Sequence, residues 1–340
     1  MRIPTDEQVL KQHLGLDRST AAIKQSIEGS LNAASEGSMF GSSGLCPGYP
    51  VRPMPEHYFV AQEFNTSRDD LRYALSDALD HLGVKPICAD DSVGWGHILC
   101  KTSSLIQSTP FGVYQLTTSQ NRNVYLELGI AIGLGRPFIL VKDKNARISS
   151  LASGLEYFPI DSYLELSSGL GPKVENLFAS AAQYERPALP PAGSLSTAFI
   201  SHGDLDTLDF SYTVGKAIAG LGLLPVFPGD PEGKLSKFLT DRSLDHRILG
   251  IHGQIQLDET VAALQTARFG IYRIDKAAGP DSFLCLGMSL GLNRPGLLLH
   301  REGQEVPADV QGIGARRFNS FTDLGGSHGE ALSSLLKVFL

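Results

Sequence analysis

Short apolar runs alternate with stretches of helical periodicity through the middle of the chain. Strands that alternate with helices of about ten to fifteen residues are typical of a parallel sheet covered by helices on both faces. The pattern therefore predicts a small doubly wound α/β domain of the flavodoxin-like type. In chain order the predicted elements are a strand at 57–61, a helix at 69–82, a strand at 84–88, a helix at 98–107, a strand at 111–116, a helix at 124–134 and a strand at 137–141.

The same order of elements returns in the second part of the chain. Without gaps and at an offset of 158, residues 111–140 match residues 269–298 at 11 of 30 positions, which favours an internal duplication. Residues 228–256 are predicted to form an extra loop of the second copy. The repeated elements are predicted at 195–201, 210–221, 223–227, 258–266, 269–274, 284–292 and 295–300.

Two stretches rich in helix and strand breakers divide the chain. Residues 36–48 are rich in Gly and Ser, and residues 185–194 contain three prolines, which disfavour helices and central strands. We therefore predict an N-terminal helical and loop segment followed by two tandem flavodoxin-like domains joined by a linker. The predicted boundaries are 1–52 for the N-terminal segment, 53–183 for the first domain, 184–194 for the linker and 195–340 for the second domain.

Composition narrows the class of protein. Hydrophobic residues make up 42% of the chain, and the net charge is −7 without a block of Lys or Arg, which disfavours a nucleic-acid partner. No apolar run approaches the roughly 20 residues that span a bilayer, and the N-terminus lacks the features of a signal peptide. Four scattered cysteines without a metal-ligand pattern indicate a reduced, cytoplasmic protein that binds no metal.

Candidate chemistry is concentrated in residues 119–141. The polar run 120–123 is suited to cap a helix that begins near Val124, and Glu127 then falls in its first turn, near the carboxyl edge of the sheet, where open α/β domains bind ligands. Gly129 and Gly133 are expected to let this helix pack closely on the sheet. An acid in a first turn is also a favourable partner for the helix dipole. However, Glu127 lies in an apolar run and its repeat partner is Cys285, which favours a specific role.

A longer motif surrounds this carboxylate. The pattern N-x-x-V-x-x-E-L-G-x-A-x-x-x-G-[KR]-P is carried by Asn121, Val124, Glu127, Leu128, Gly129, Ala131, Gly135, Arg136 and Pro137. It resembles the pattern of nucleoside 2-deoxyribosyltransferase-like and bacterial TIR-like proteins, and the similarity extends over the first predicted domain. The resemblance implies cleavage of the N-glycosidic bond of a nucleoside or of NAD, with Glu127 as the catalytic carboxylate. It also implies a context in antiphage defence.

Other polar and aromatic residues are candidates for binding the substrate. The stretch FVAQEF resembles the first strand and substrate loop of the same families, whose usual aspartate before the third strand is missing from residues 100–104. The alternative for Asp90 and Asp91 is a solvated turn, and the alternative for His97 is an ordinary loop position. For Trp95 the alternative is packing in the core or at an interface. The full set of substrate-binding candidates is Gln62, Glu63, Phe64, Asp90, Asp91, Trp95, His97 and Asn123.

The second domain is predicted to be a degenerate copy. His202 and Asp204 resemble the opening of TIR domains, but Cys285 replaces the acid and is expected to be a buried structural cysteine. Three functions are open at this point. The first is an N-glycosidase that acts on a nucleotide without a cofactor; the second is a nucleotide-binding module without catalysis; the third is a self-associating scaffold. A homo-oligomer or a partner protein is expected.

Overall fold

The computed structural model describes residues 51–63, 68–91, 98–181, 195–202, 207–230, 232–250, 256–275, 278–307, 310, 315–325 and 329–340. Within them the chain forms two parallel sheets, which confirms the predicted α/β class. We call residues 51–181 the first half of the chain and residues 195–340 the second half. The predicted N-terminal segment, apart from residues 51 and 52, and the predicted linker lie outside the described residues. The predicted domain boundaries stay a prediction.

The first half forms a sheet of five parallel strands. Its strand order is β2-β1-β3-β4-β5, the order of flavodoxin-type doubly wound sheets. The last strand and last helix of this half were not predicted from the sequence. The elements are β1 (His57–Ala61), α1 (Arg68–Leu79) with a 3₁₀ turn (Asp80–Leu82), β2 (Lys85–Ile87), α2 (Ile98–Ser108), β3 (Gly112–Leu116), α3 (Arg122–Leu134), β4 (Phe138–Asp143), β5 (Tyr157–Ile160) and α4 (Leu164–Ala181).

The second half repeats this order and adds to it. Its six-stranded sheet has the order β11-β10-β9-β6-β7-β8. The predicted extra loop 228–256 is wrong in part, because it contains the helix α6 and the short strand β8. The elements are β6 (Thr197–Ser201), α5 (Thr207–Ala219), β7 (Leu224–Phe227), α6 (Lys234–Thr240), β8 (Arg247–Ile248), α7 (Leu257–Thr266), β9 (Ala267–Arg273), α8 (Pro280–Gly291), β10 (Gly296–Arg301), β11 (Arg316–Phe318), α9 (Phe321–Gly325), α10 (Gly329–Leu336) and a 3₁₀ turn (Lys337–Phe339).

Each sheet buries both of its faces. Alternate residues of β1, such as Tyr58 and Val60, pack with α1 and α4, whereas Phe59 and Ala61 face the side of α2 and α3. The second sheet is covered in the same way, with α5 and α10 on its outer face. The inner faces of the two sheets and the helices α2, α3, α7 and α8 contribute to one continuous apolar core. The two halves therefore share the central core of the molecule.

Glycines allow α3 and α8 to cross with their backbones in contact. A Cβ atom at Gly129 would overlap the carbonyl oxygen of Leu284 and lie 2.9 Å from the Cα of Gly287, and a Cβ at Gly287 would overlap the carbonyl oxygen of Leu126. Gly133 meets Gly291 in the same way. The prediction that Gly129 and Gly133 bring their helix close to the sheet is therefore wrong. They face the equivalent helix of the other half, which periodicity within one segment does not reveal.

The ends of the two crossing helices also repeat. Gly135 follows α3 in the left-handed region with φ 65°, and Asn293, its counterpart at the offset of 158, has φ 54°. Glycine and asparagine are the residues that adopt this conformation most readily at the end of a helix. The next residue, Arg136, donates from Nη2 to the carbonyl oxygen of Gln107, and Arg294 donates in the same way to that of Gln265.

Among the described helices, none combines the length and apolar composition that a bilayer span needs. Cys88 and Cys285 are buried and are not disulfide-bonded. Cys100 is disulfide-bonded. The prediction of reduced cysteines is therefore wrong for Cys100, and disulfides are uncommon in reducing compartments.

We predict that Arg136→Ala and Arg294→Ala each lower the free energy of unfolding by about 1–3 kcal/mol, because each leaves a helix carbonyl without its donor. Urea unfolding of the two variants measures the effect. Arg316→Ala, which removes an exposed arginine, is the control. Losses no larger than that of the control would contradict a role for the two buried arginines in joining helices.

Candidate functional site

The carboxyl edge of the first sheet brings together polar residues that follow β1 and β3. In the order β2-β1-β3-β4-β5 the chain leaves β1 and β3 in opposite directions, which opens a crevice at this point of the edge. Gln62 and Glu63 come directly after β1, and Thr117 and Ser119 come after β3. Two of the predicted binding residues therefore lie at the position where this fold holds ligands.

Hydrogen bonds join the ends of these two strands. The hydroxyl of Thr117 donates to Oε2 of Glu63 at 3.0 Å. The Ser119 hydroxyl lies 2.9 Å from the Thr117 hydroxyl. Because the Thr117 proton is directed at Glu63, Ser119 is the donor of this second bond. Thr117 and Ser119 were not among the predicted site residues, although their position directly after the third predicted strand was a signal that could have identified them.

Two amide side chains near this edge present acceptors that no described residue satisfies. Gln62 Oε1 is buried without a hydrogen-bond partner, and Gln62 Nε2 has only a weak contact with the Cys88 sulfur at 4.0 Å. Asn123 Oδ1 is also buried and unpaired. Buried polar atoms without a partner are uncommon and costly in folded proteins, so each needs an explanation such as a bound water or ligand. Both residues were predicted to bind the substrate.

The helix that carries Asn123 begins earlier than predicted. Asn121 precedes α3, and its side chain accepts a hydrogen bond from the backbone N–H of Asn123 at 2.9 Å, which confirms the predicted capping by the run 120–123. Since α3 begins at Arg122, Glu127 is its sixth residue and lies in the second turn. The predicted position in the first turn is wrong, and a favourable interaction with the helix end is correspondingly weaker, because that effect is confined to the first turn.

Glu127 is buried, with only 8% of its surface exposed. It lies four residues after Asn123 on the same face of α3, so Asn123 stands between Glu127 and the carboxyl edge. Burial raises the pKa of Tyr114 well above its ordinary value, the nearby charge of Glu127 raises it further, and Arg136 lowers it. Glu127 and Arg136 therefore both lie close enough to the buried Tyr114 hydroxyl to affect its ionisation.

The remaining predicted residues of the first half differ in their surroundings. The carboxylate of Asp91 accepts hydrogen bonds from Nη1 and Nη2 of Arg72 at 2.8 and 2.9 Å. Its Oδ2 also accepts a hydrogen bond from the backbone N–H of Cys88 at 2.7 Å. These bonds give Asp91 a structural part in the turn after β2. Asp90 is an exposed residue of the same turn. Phe64, Trp95 and His97 lie outside the described residues.

The equivalent edge of the second sheet has different chemistry. Asp275 is the repeat counterpart of Thr117. Its carboxylate accepts a hydrogen bond from Nε of Arg273 at 3.1 Å, and both residues are almost completely buried. The backbone N–H of Arg301 donates to the same carboxylate at 2.9 Å. A buried ion pair therefore occupies the place where the first sheet has Glu63, Thr117 and Ser119.

Cys285 takes the place of Glu127 in the second half. It is fully buried, and burial, followed by the charge of Asp281, raises its thiol pKa well above the ordinary value. The thiol therefore stays protonated at neutral pH, and a protonated thiol is a poor nucleophile. This environment agrees with the expectation of a structural cysteine. His202 follows β6, and Asp204 lies outside the described residues.

No group of described residues has the composition and spacing of a metal site. No protein-family model matches the chain, and no curated protein matches it. Among solved structures it is similar to a glycosyl transferase of family 9 from Veillonella parvula DSM 2008, with 8% identity, a TM-score of 0.32 and coverage of 84% of this chain and 97% of the other.

Two further solved structures show comparable similarity. A ketoreductase domain from the bacillaene assembly line is 12% identical with a TM-score of 0.23, over 83% of this chain and 78% of the other. A putative UDP-N-acetylglucosamine 2-epimerase from Listeria monocytogenes is 12% identical with a TM-score of 0.24, over 84% and 88%. At such TM-scores neither the fold nor the activity of this chain follows from the three proteins.

We predict that the protein loses stability as the pH rises above about 9. Burial raises the pKa of Tyr58, Tyr114, Tyr272 and Cys285, so the folded chain keeps protons that the unfolded chain releases near the ordinary values of 10.0 and 9.0. The unfolded state binds fewer protons in this range, so the free energy of unfolding falls with pH. Urea unfolding at pH 7.5 and pH 10 measures the fall.

Tyr272→Phe removes one of these buried groups and should make the fall with pH smaller. Tyr73→Phe changes a tyrosine that is 77% exposed and serves as the control. An unfolding free energy that stays constant from pH 7.5 to pH 10, or an equal effect of the two variants, would contradict the prediction.

Proposed function

We propose that the chain is a nucleotide N-glycosidase of the TIR-like and deoxyribosyltransferase-like class, with NAD as the first substrate to test. The first half is catalytic, and the second half has a structural or regulatory role. One observation carries the proposal: the buried carboxylate of Glu127 lies one helical turn from Asn123, whose buried Oδ1 has no partner among the described residues, whereas the second half has Cys285 at the position of Glu127.

The reaction needs a negative charge at the sugar. When the bond between C1′ and the base nitrogen breaks, its electron pair leaves with the base and positive charge develops on the ribose. A carboxylate in a site of low dielectric stabilises that charge far more than it would in water. It either stabilises the cation directly or attacks C1′, after which water completes the hydrolysis, as in retaining sugar hydrolysis. The nicotinamide of NAD carries a positive charge, so it leaves as a neutral molecule without a proton from the protein.

The unpaired acceptors supply the other part of the site. Gln62 Oε1 and Asn123 Oδ1 are suited to receive hydrogen bonds from ribose hydroxyls, and the Glu63 carboxylate extends this set of acceptors at the edge. Cβ atoms four residues apart on a helix are about 5–6 Å from each other, so a sugar bound at Asn123 lies within reach of Glu127. This arrangement supports a nucleoside part that enters from the carboxyl edge.

The biological context and the location of the protein belong to the same proposal. Antiphage defence is a context suggested by the resemblance of the sequence motif. A cytoplasmic location fits a nucleotide substrate, whereas the disulfide of Cys100 does not favour a reducing compartment. The proposal requires neither a resident cofactor nor a metal ion.

We predict that Glu127→Gln lowers the rate of base release from NAD by at least about 10²-fold, because the amide lacks the charge that stabilises the ribosyl cation. Purified wild-type and variant proteins are incubated with NAD and with a panel of nucleosides, and the released base is measured by chromatography. Glu56→Gln, which changes an exposed glutamate near β1, is the matched control. Equal rates for wild type and Glu127→Gln would remove Glu127 from the reaction.

A nucleotide-binding module without catalysis is the second candidate. The observation that favours it is the buried Oδ1 of Asn123, which accepts no hydrogen bond from a described residue and serves binding whether or not a bond is broken. Tight binding of a nucleotide without turnover would identify this function. If the protein neither binds nor cleaves a nucleotide, a self-associating scaffold is the remaining candidate.

We predict that Asn123→Ala weakens nucleoside binding about 3- to 10-fold, the loss expected for one hydrogen bond. Stability should stay the same or rise slightly, since the lost oxygen has no partner in the described chain and alanine favours a helix. Calorimetric titration measures binding, and urea unfolding measures stability. A large loss of stability would show that Asn123 has a structural role instead.

A further inference from the structure

The start of α3 is attached to the second half by polar contacts as well as by the glycine crossing. Arg122, the first residue of α3, donates from Nε to the carbonyl oxygen of Ala278 at 3.1 Å, and its guanidinium lies 5.9 Å from the centre of the Phe283 ring. The backbone N–H of Leu151 donates to Oδ1 of Asp281 at 3.1 Å. The helix with both Asn123 and Glu127 is therefore held by the other half from its first residue.

Equivalent residues meet at the crossing. Gly129 and Gly287, like Gly133 and Gly291, are separated by the repeat offset of 158, and each contacts its own counterpart. This is the arrangement of a two-fold symmetric dimer, in which one patch packs against its copy. Here one chain supplies both patches, and the face of α3 that a second molecule would need is already covered by α8.

We infer that the second half is a permanent intramolecular partner of α3, which holds Asn123 and Glu127 in place without self-association of the chain through this helix. The nature of the ligand rests on the proposed function, but the role of α8 as the partner does not. The backbones touch, so α3 cannot approach α8 more closely, and any added side chain must push the two helices apart. The position of α3 over the first sheet thus depends on the second half.

Linker cleavage is the first test. A protease site is placed in the Pro-rich segment 184–194, and the folded full-length protein is cut there. We expect the two fragments to elute together on gel filtration at the mass of one intact chain. Two separate fragment peaks, or a mass of two or more chains that forms through α3, would overturn the inference.

Hydrogen exchange measured by mass spectrometry is the second test. In Gly287→Ala the change lies in α8, but we expect exchange in α3 to become at least about 10-fold faster, with little change in α4 and β5. Gly154→Ala is the control, because a Cβ there meets no atom within 4 Å. Equal exchange of α3 in both variants, or a uniform increase over the whole chain, would show that α8 does not position α3.

If Gly287→Ala does not fold, Arg122→Met supplies a milder change. It keeps the glycines and removes the hydrogen bond to Ala278 together with the contact between the guanidinium and the Phe283 ring. We expect exchange to become at least about 3-fold faster in the first turns of α3, and unchanged exchange there would count against the inference.

Dependence on protein concentration separates this inference from the proposed function. Base release per mole of chain is expected to stay constant over a 100-fold range of protein concentration. If release rises steeply with concentration, self-association completes the site, and the inference fails while the N-glycosidase proposal stands. If no base is released at all, the N-glycosidase proposal fails, and the cleavage and exchange experiments still decide the role of α8.

Discussion

Backbone contact between α3 and α8 determines how the two halves of the molecule fit together. A side chain at Gly129, Gly133, Gly287 or Gly291 would overlap the backbone of the opposite helix, so the close approach depends on all four glycines. This approach brings the inner faces of both sheets into one apolar core. Residues from Phe59 to Val310 then contribute to a common interior, whose burial stabilises the fold as a whole. The candidate site lies beside this contact, on the same helix.

The sequence was sufficient to predict much of the local structure. Buried strands appear as apolar runs and amphipathic helices as a period of 3.6. The order from β1 to β4, and from β6 to β10 apart from α6 and β8, therefore agrees with prediction to within a few residues. The helix α4 was missed because Pro172, Gly169 and Gly171 interrupt its pattern. Packing partners could not be predicted, since periodicity shows that Gly129 is buried but not that Gly287 covers it.

The candidate site was predictable to a similar degree. Asn123, Gln62, Glu63 and Glu127 follow from the position of polar residues at strand and helix ends and from the sequence motif. The bond from Thr117 to Glu63 and the ion pair of Asp91 join residues far apart in sequence, and only the sheet brings them together. A single sequence does not show which of its distant residues are close together in the fold. The position of Glu127 along α3 was also predicted wrongly. The helix begins two residues earlier than predicted, so Glu127 lies in the second turn and not in the first.

The internal repeat separates what the fold requires from what a function requires. Gly112 with Tyr114, Gly135 and Arg136 have counterparts of the same role in Gly270 with Tyr272, Asn293 and Arg294, so these features maintain the architecture in both halves. Among the positions that differ are Gln115, Thr117 and Glu127, which correspond to Arg273, Asp275 and Cys285. Each of them lies in β3 or β9, just after that strand, or in the early turns of α3 or α8. Packing acts on both copies alike, so it does not by itself account for the exchange of a buried carboxylate at Glu127 for a buried thiol at Cys285. A ligand bound by the first half alone would explain it.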